Sequence, residues 1–237
     1  MKPIIIVNFK AYKQATGDKA LILAKIHDNV AMKTKSRIMV AVQNTDLFRV
    51  SKAVSIPVLA QHADPVEFGA HTGSDLPEDL KQNGAWGVLI NHSEDRMKLH
   101  EIKNTIARCK EARLKTLVCA ETISKAYDIT KMKPNFLAFE DPVLIGTGNS
   151  VSKAKPLSVC KFADMVKKAN KTNSRANKKS TNKKQPKTIS LCGAGITSRE
   201  DIEKAMELGM QGVLLASAVA TARNPEKILE GLVGKKP

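Results

Sequence analysis

Residues 136–148 read FLAFEDPVLIGTG. Four apolar residues end in a carboxylate, Glu140, and the loop that follows closes on Gly146, Thr147 and Gly148. Unbroken hydrophobicity over so short a run predicts a strand covered on both faces, as in a parallel sheet. A carboxylate at the buried end of such a strand has few dipoles to solvate it, so its basicity rises. The glycines beyond leave backbone N–H groups bare for a small anion. A base under a phosphate-friendly loop suits proton transfer on a phosphorylated small molecule.

The same pattern recurs along the chain. Further apolar runs are IIIVN (4–8), RIMVAV (37–42), PVLAQ (57–61), WGVLIN (86–91), TLVCA (116–120), TISLC (188–192) and GVLLAS (212–217). Helical stretches lie between them. Leu99, Ile102, Ile106 and Cys109 keep a 3-4-3 spacing that predicts one buried stripe. Ser198 and Asp201 resemble a helix cap, and Gly209 stands where that helix should stop. Eight alternations predict an α/β fold, a single (β/α)8 barrel spanning residues 1–237. Polar residues gather at the C-terminal ends of the runs: Asn8 and Lys10, His92 and Glu94, Glu140, Gly193, and Ser217. In a barrel these ends share one mouth, where such folds carry chemistry.

The net charge of +16 is concentrated. No acidic residue lies between Asp164 and Glu200, and residues 167–187 hold nine lysines and arginines. The stretch KKANKTNSRANKKSTNKKQPK is nearly free of apolar side chains and has little surface to bury. It is read as a basic insert over residues 170–186, a solvated loop between the sixth helix and the seventh strand, with helix continuing into its first residues. It lacks aromatic interleaving, so it is read as a charged, flexible connection, and contact with nucleic acid or another polyanion is not expected as the main function. Cys109, Cys119, Cys160 and Cys192 show no C-x-x-C spacing, which favours reduced thiols in a cytoplasm. The expectation of a cytoplasmic location also rests on the absence of a leader-like start and of a membrane-length apolar run.

A proton shift between adjacent carbons of a hydroxy-carbonyl phosphate needs a base, charge stabilisation for an enediolate and an acid near its oxygens. Glu140 fits the base and Lys10 the fixed cation. His92 fits a neutral hydrogen-bond donor, on the expectation that a helix N-terminus beside it disfavours imidazolium. Small residues at 146–148, 192–195 and 214–217 follow strands six to eight, the usual place of a phosphate in barrels.

The segments NFKAY (8–12), AQHADPVEFGAHTG (60–73), INHSEDR (90–96), LAFEDPVLIGTG (137–148), VSKA (151–154), LCGAGI (191–196) and GVLLASAV (212–219) together resemble the triosephosphate isomerase family in its shorter archaeal form. The resemblance implies a TIM barrel that interconverts dihydroxyacetone phosphate and glyceraldehyde 3-phosphate without cofactor or metal. The pairing of a Glu base with a neutral His is that family's own known pattern. By motif it implies Glu140 as base, His92 as electrophile, and Lys10 and Asn8 as substrate and enediolate ligands, with Glu94 supporting Lys10. It places Ile145, Gly146 and Ser152 in a closing loop and Gly193, Ala216 and Ser217 around the phosphate. Thr72 resembles the residue that members insert toward a neighbouring subunit, which implies a homodimer or homotetramer.

Three departures stand out. Glu140-Asp141-Pro142 replaces the usual Glu-Pro-Pro, which sets a second carboxylate beside the base and is expected to raise its pKa. Ala218 replaces a usual glycine, and the basic insert has no counterpart. Another phosphate-binding barrel, such as a sugar-phosphate epimerase, would lack the combined Lys10, His92 and Glu140 set. A nucleic-acid-binding scaffold would have no use for it.

Overall fold

Eight parallel strands close on themselves in chain order: β1 (Ile4–Asn8), β2 (Arg37–Val42), β3 (Val58–Ala60), β4 (Gly87–Ile90), β5 (Lys115–Ala120), β6 (Phe136–Phe139), β7 (Ile189–Cys192) and β8 (Gly212–Leu215). The computed structural model describes residues 2–141, 151–180 and 187–234. Among these, the helices are α1 (Asp18–Thr34), α2 (Leu47–Ser51), α3 (Pro77–Gln82), α4 (Leu99–Glu111), α5 (Ile123–Lys131), α6 (Val151–Ala154), α7 (Pro156–Ser180), α8 (Arg199–Glu207), α9 (Ser217–Ala220) and α10 (Pro225–Val233). None of the described helices is long and apolar enough to cross a membrane.

Strand alternation sorts the core into two layers. Ile4 and Ile6 pack inside the barrel with Leu59, Leu89, Leu117, Ala138, Leu191 and Leu214. Ile5 and Val7 join the shell between strands and helices. Both layers are buried, which is why the strands read as continuous apolar runs. Gly212 lies opposite Ile4 in the ladder, and a Cβ there would sit 2.3 Å from the Ile4 carbonyl oxygen. Trp86 and Phe136, with ring centroids 5.8 Å apart, help close the interior near the strands' N-terminal ends.

Where helices turn back into strands, the chain passes through left-handed residues. Lys35, Gly84, Arg113, Lys133 and Gly209 have φ of 51°, 91°, 58°, 55° and 92°. The expected cap on α8 is present, with Ser198 and Asp201 each accepting the other's backbone N–H, and Gly209 follows its end. The stripe on α4 differs at one position. Ile102, Ile106 and Cys109 are buried, but Leu99, the first helical residue, is 40% exposed and Thr105 is buried instead.

Helix α7 buries Val159, Phe162, Ala163 and Val166 against the barrel. Asn170 then makes a two-way tie: its Nδ2 donates to the Thr188 carbonyl at 2.8 Å, and the Thr188 N–H donates to its Oδ1 at 2.9 Å. Asn170 therefore belongs to the barrel and not to the insert. The helix runs on to Ser180, well past the first residues expected to be helical. Neither Gly nor Pro occurs from 157 to 185, and Lys, Arg and Ala are good helix formers. Residues 181–186, the rest of the stretch read as a loop, lie outside the described residues.

Candidate active site

Counting on by two from the inward residues brings polar groups to the C-terminal mouth: Asn8 after Ile6, Gln61 after Leu59, Asn91 after Leu89 and Glu140 after Ala138. A small cavity of about 90 Å³ opens there, lined by Asn8, Lys10, Tyr12, His92, Glu140, Gly193, Ala216 and Ser217 among others. Seven of the sequence-predicted residues thus meet around one space.

Lys10 takes a left-handed φ of 48°, and its backbone N–H donates to Asn8 Oδ1 at 2.9 Å. Gln61 braces this turn by donating to Asn8 Oδ1 and the Lys10 carbonyl. The Lys10 Nζ lies 2.6 Å from Glu94, whose own carboxylate is 59% exposed. Glu94 thus sits beside the cation as expected, at the rim of the mouth.

Glu140 is buried, and burial pushes its carboxyl up from an ordinary 4.5 to about 7. The Arg96 charge, the Cys119 thiol, the Ser93 N–H and Lys10 oppose that rise. The Ser93 N–H donates to Glu140 Oε2 at 3.2 Å, and His92 Nε2 lies 3.4 Å from Oε1. A Cβ on Gly193 would stand 2.8 Å from Glu140 Cγ, so the bare glycine makes room for the carboxylate.

His92 is held neutral for a reason other than the one expected. The next helix, α4, begins at Leu99, and residues 93–98 are turns and irregular chain, so the expected helix does not start directly after the histidine. Burial comes first and the Lys10 charge second, and together they lower its pKa to about 4. Its Nδ1 accepts the Glu94 N–H at 3.2 Å, which leaves the proton on Nε2, facing Glu140.

Other predicted residues stand elsewhere. Ile145 and Gly146 lie outside the described residues. Ser152 is fully buried with Oγ 3.4 Å from the Asp201 carbonyl, and is not among the described residues lining the cavity. Thr72 is exposed on the segment after β3. Asp141, expected to burden the base with a second charge, is paired to Lys155 at 2.6 Å, so its charge is compensated across the two ends of the 142–150 segment. Sequence reading missed Tyr12, Ser93, Cys119 and Gln61. Strand register offered a signal for Cys119, which lies opposite Ala138 in the β5–β6 ladder, two residues before Glu140.

A parallel (β/α)8 barrel whose mouth joins a desolvated carboxylate, a neutral imidazole and an ammonium belongs to the acid–base enzymes built on this fold. The sequence pattern of the triosephosphate isomerase family matches residues 3–232. The triosephosphate isomerase of Methanothermus fervidus is 44% identical over 232 residues, covering 98% of both chains. That of Methanothermobacter thermautotrophicus is 44% identical over 233 residues, covering 98% of this chain and 95% of its own. The Saccharolobus solfataricus enzyme is 39% identical over 231 residues, with 98% and 95% covered. The chain belongs to the triosephosphate isomerase family.

Proposed function

We propose that this chain interconverts dihydroxyacetone phosphate and D-glyceraldehyde 3-phosphate through an enediolate, without cofactor or metal, in glycolysis and gluconeogenesis. The observation that carries the reading is Glu140: buried, raised to about 7, and 3.4 Å from a neutral imidazole in a cavity shared with Lys10. Glu140 takes the proton from one carbon and returns it to the next. His92 donates from Nε2 to the substrate oxygens and takes the proton back, which a neutral ring does with a better-matched acidity than an imidazolium. Lys10, fixed by Glu94 and the Asn8 turn, stabilises the negative charge that grows on the enediolate. Asn8 assists from the same turn.

Gly193, Ala216 and Ser217 line the cavity, and backbone N–H groups of such small residues suit the phosphate. Ile145 and Gly146, which lie outside the described residues, are assigned to substrate binding. Ser152, with its hydroxyl 3.4 Å from the Asp201 carbonyl, is assigned to it as well. The enzyme acts in the cytoplasm as a homodimer or homotetramer. The segment carrying Thr72 also bears Phe68, 73% exposed, which suits a contact between subunits. Contact with a polyanion through the basic stretch is not the chain's main function.

A coupled assay with D-glyceraldehyde 3-phosphate tests the proposal. Wild type should turn over, and Glu140→Gln should lose about a thousandfold in kcat. Absence of turnover by the folded wild type would overturn the reading.

A further inference from the structure

The segment after β3 carries a second histidine that the reaction does not use. His62 Nδ1 lies 2.7 Å from Asp95 Oδ2, and its Nε2 lies 3.2 Å from Asp64 Oδ1. A neutral imidazole has one N–H, so it can satisfy one carboxylate and must turn a lone pair on the other. Only the imidazolium donates to both. The two carboxylates belong to different parts of the mouth. Asp95 closes the turn that holds His92, Ser93 and Glu94, with its N–H donating to the His92 carbonyl at 2.9 Å. Asp64 closes the base of the segment bearing Phe68 and Thr72, exchanging bonds with Asp75 at 3.0 and 2.8 Å.

We infer that His62 is a positioning residue: as an imidazolium bridging Asp64 and Asp95, it ties the His92 turn to the 64–75 segment and releases that tie when it loses its proton. The inference rests on the isomerase reading above. Its neighbour in sequence, Gln61, braces Asn8 and Lys10, so residues 61–64 join both catalytic segments to the exposed loop. The titratable groups acting on the ring are Asp64, from its own segment, and Asp95, from the segment after β4. Asn44, after β2, donates to the His62 carbonyl at 3.2 Å and carries no charge. Burial works against the charged ring, but the bonds to Asp64 and Asp95 outweigh it and raise its pKa above the ordinary 6.5. For a raised histidine the tie is whole below 6.5 and is lost as pH climbs through the higher folded value.

Loosening the turn displaces His92 and Glu94 against the substrate, which costs rate more than binding. The test is a set of kcat and KM profiles from pH 6 to 9.5 for wild type, His62→Arg and His62→Asn. Wild type should lose about three- to tenfold in kcat on the alkaline side, with KM little changed. His62→Arg keeps two donors and a permanent charge, so it should retain kcat at high pH. His62→Asn should be slower throughout and lack that alkaline step. Nitrogen NMR of the wild-type ring should place its titration midpoint above the ordinary 6.5. A midpoint at or below 6.5, or coincident alkaline limbs for wild type and His62→Arg, overturns the inference. Either result leaves the isomerase reading intact, because that reading fails only if wild type does not turn over. Should His62→Asn not fold, the arginine variant and the NMR titration still decide.

Discussion

Near the strands' N-terminal ends, Trp86, Phe136 and Ile189 fill the barrel with carbon, whereas the last inward positions at the mouth are Asn8, Asn91 and Glu140. Both ends hold strained backbone, but in different ways. At the lower end, Lys35, Arg113 and Lys133 adopt left-handed φ at the reversals into β2, β5 and β6, in the same role that Gly84 and Gly209 fill elsewhere. At the mouth, Lys10 and Asn91 are also left-handed, and side chains lock them. Asn8 accepts from Lys10, while Asn91 accepts from the Met97 N–H and donates to the Cys119 carbonyl. Strain at the lower end only turns the chain. Strain at the mouth is tied to the groups proposed to do the chemistry, so the two ends should answer mutation differently, stability below and rate above.

The largest effect is expected at Glu140. Glu140→Asp withdraws the carboxylate by about an ångström and should slow isomerisation at least about a hundredfold in the coupled assay, with the fold intact. Near wild-type turnover would remove Glu140 from the role of base. The same residue burdens stability. Its pKa is raised in the folded state, so its favourable contribution is complete below 4.5 and disappears as pH rises through about 7. At pH 8 the buried carboxylate costs about 3 kcal/mol, and Glu140→Gln should recover about 2 of these in denaturant melts, with little gain at pH 4.5. The acidic limb of kcat/KM should lie near pH 7, since the base must be ionised in the free enzyme.

Two glycines separate the ends directly. Gly212→Ala at the lower end drives a Cβ into the Ile4 backbone and should cost about 2–3 kcal/mol, with kcat of the folded fraction unchanged. Gly193→Ala presses instead on Glu140 Cγ and should lower kcat about tenfold at a smaller cost in melting. Equal stability losses, or a rate loss at Gly212, would break the distinction. The smallest effect is a gain: Lys133→Gly should stabilise by about 1 kcal/mol by relieving φ of 55°. An unchanged or lower midpoint in urea would show that other contacts of the lysine outweigh that relief.

The eight strands were legible because burial on both faces leaves no alternation to misread. The mouth was legible because strand ends carry their polar residues one position past the last apolar one. What escaped reading depended on distance between segments. No local pattern announces that Asp141 meets Lys155, fourteen residues on, and that pairing cancels the expected effect on Glu140. Asp141→Asn should therefore leave the acidic limb nearly in place. The neutrality of His92 was foreseen, but its cause was assigned to a helix that starts too late; burial depth is invisible in a sequence. The left-handed turns at Lys35, Arg113 and Lys133 were missed because glycine is the usual signal for that conformation and long cations give none.

The tie between Asn170 and Thr188 has a consequence for how this chain can change. Two hydrogen bonds pin the points where the polypeptide leaves the barrel and re-enters it, so whatever lies between them starts and finishes at one doorway. Lengthening, trimming or swapping that stretch changes loop closure only logarithmically and leaves the barrel's own contacts in place. The doorway lies at the N-terminal end of β7, away from the mouth where catalysis is proposed. It is a natural port for new sequence: a reporter domain, an affinity handle or an evolving appendage could be carried there while the barrel goes on working.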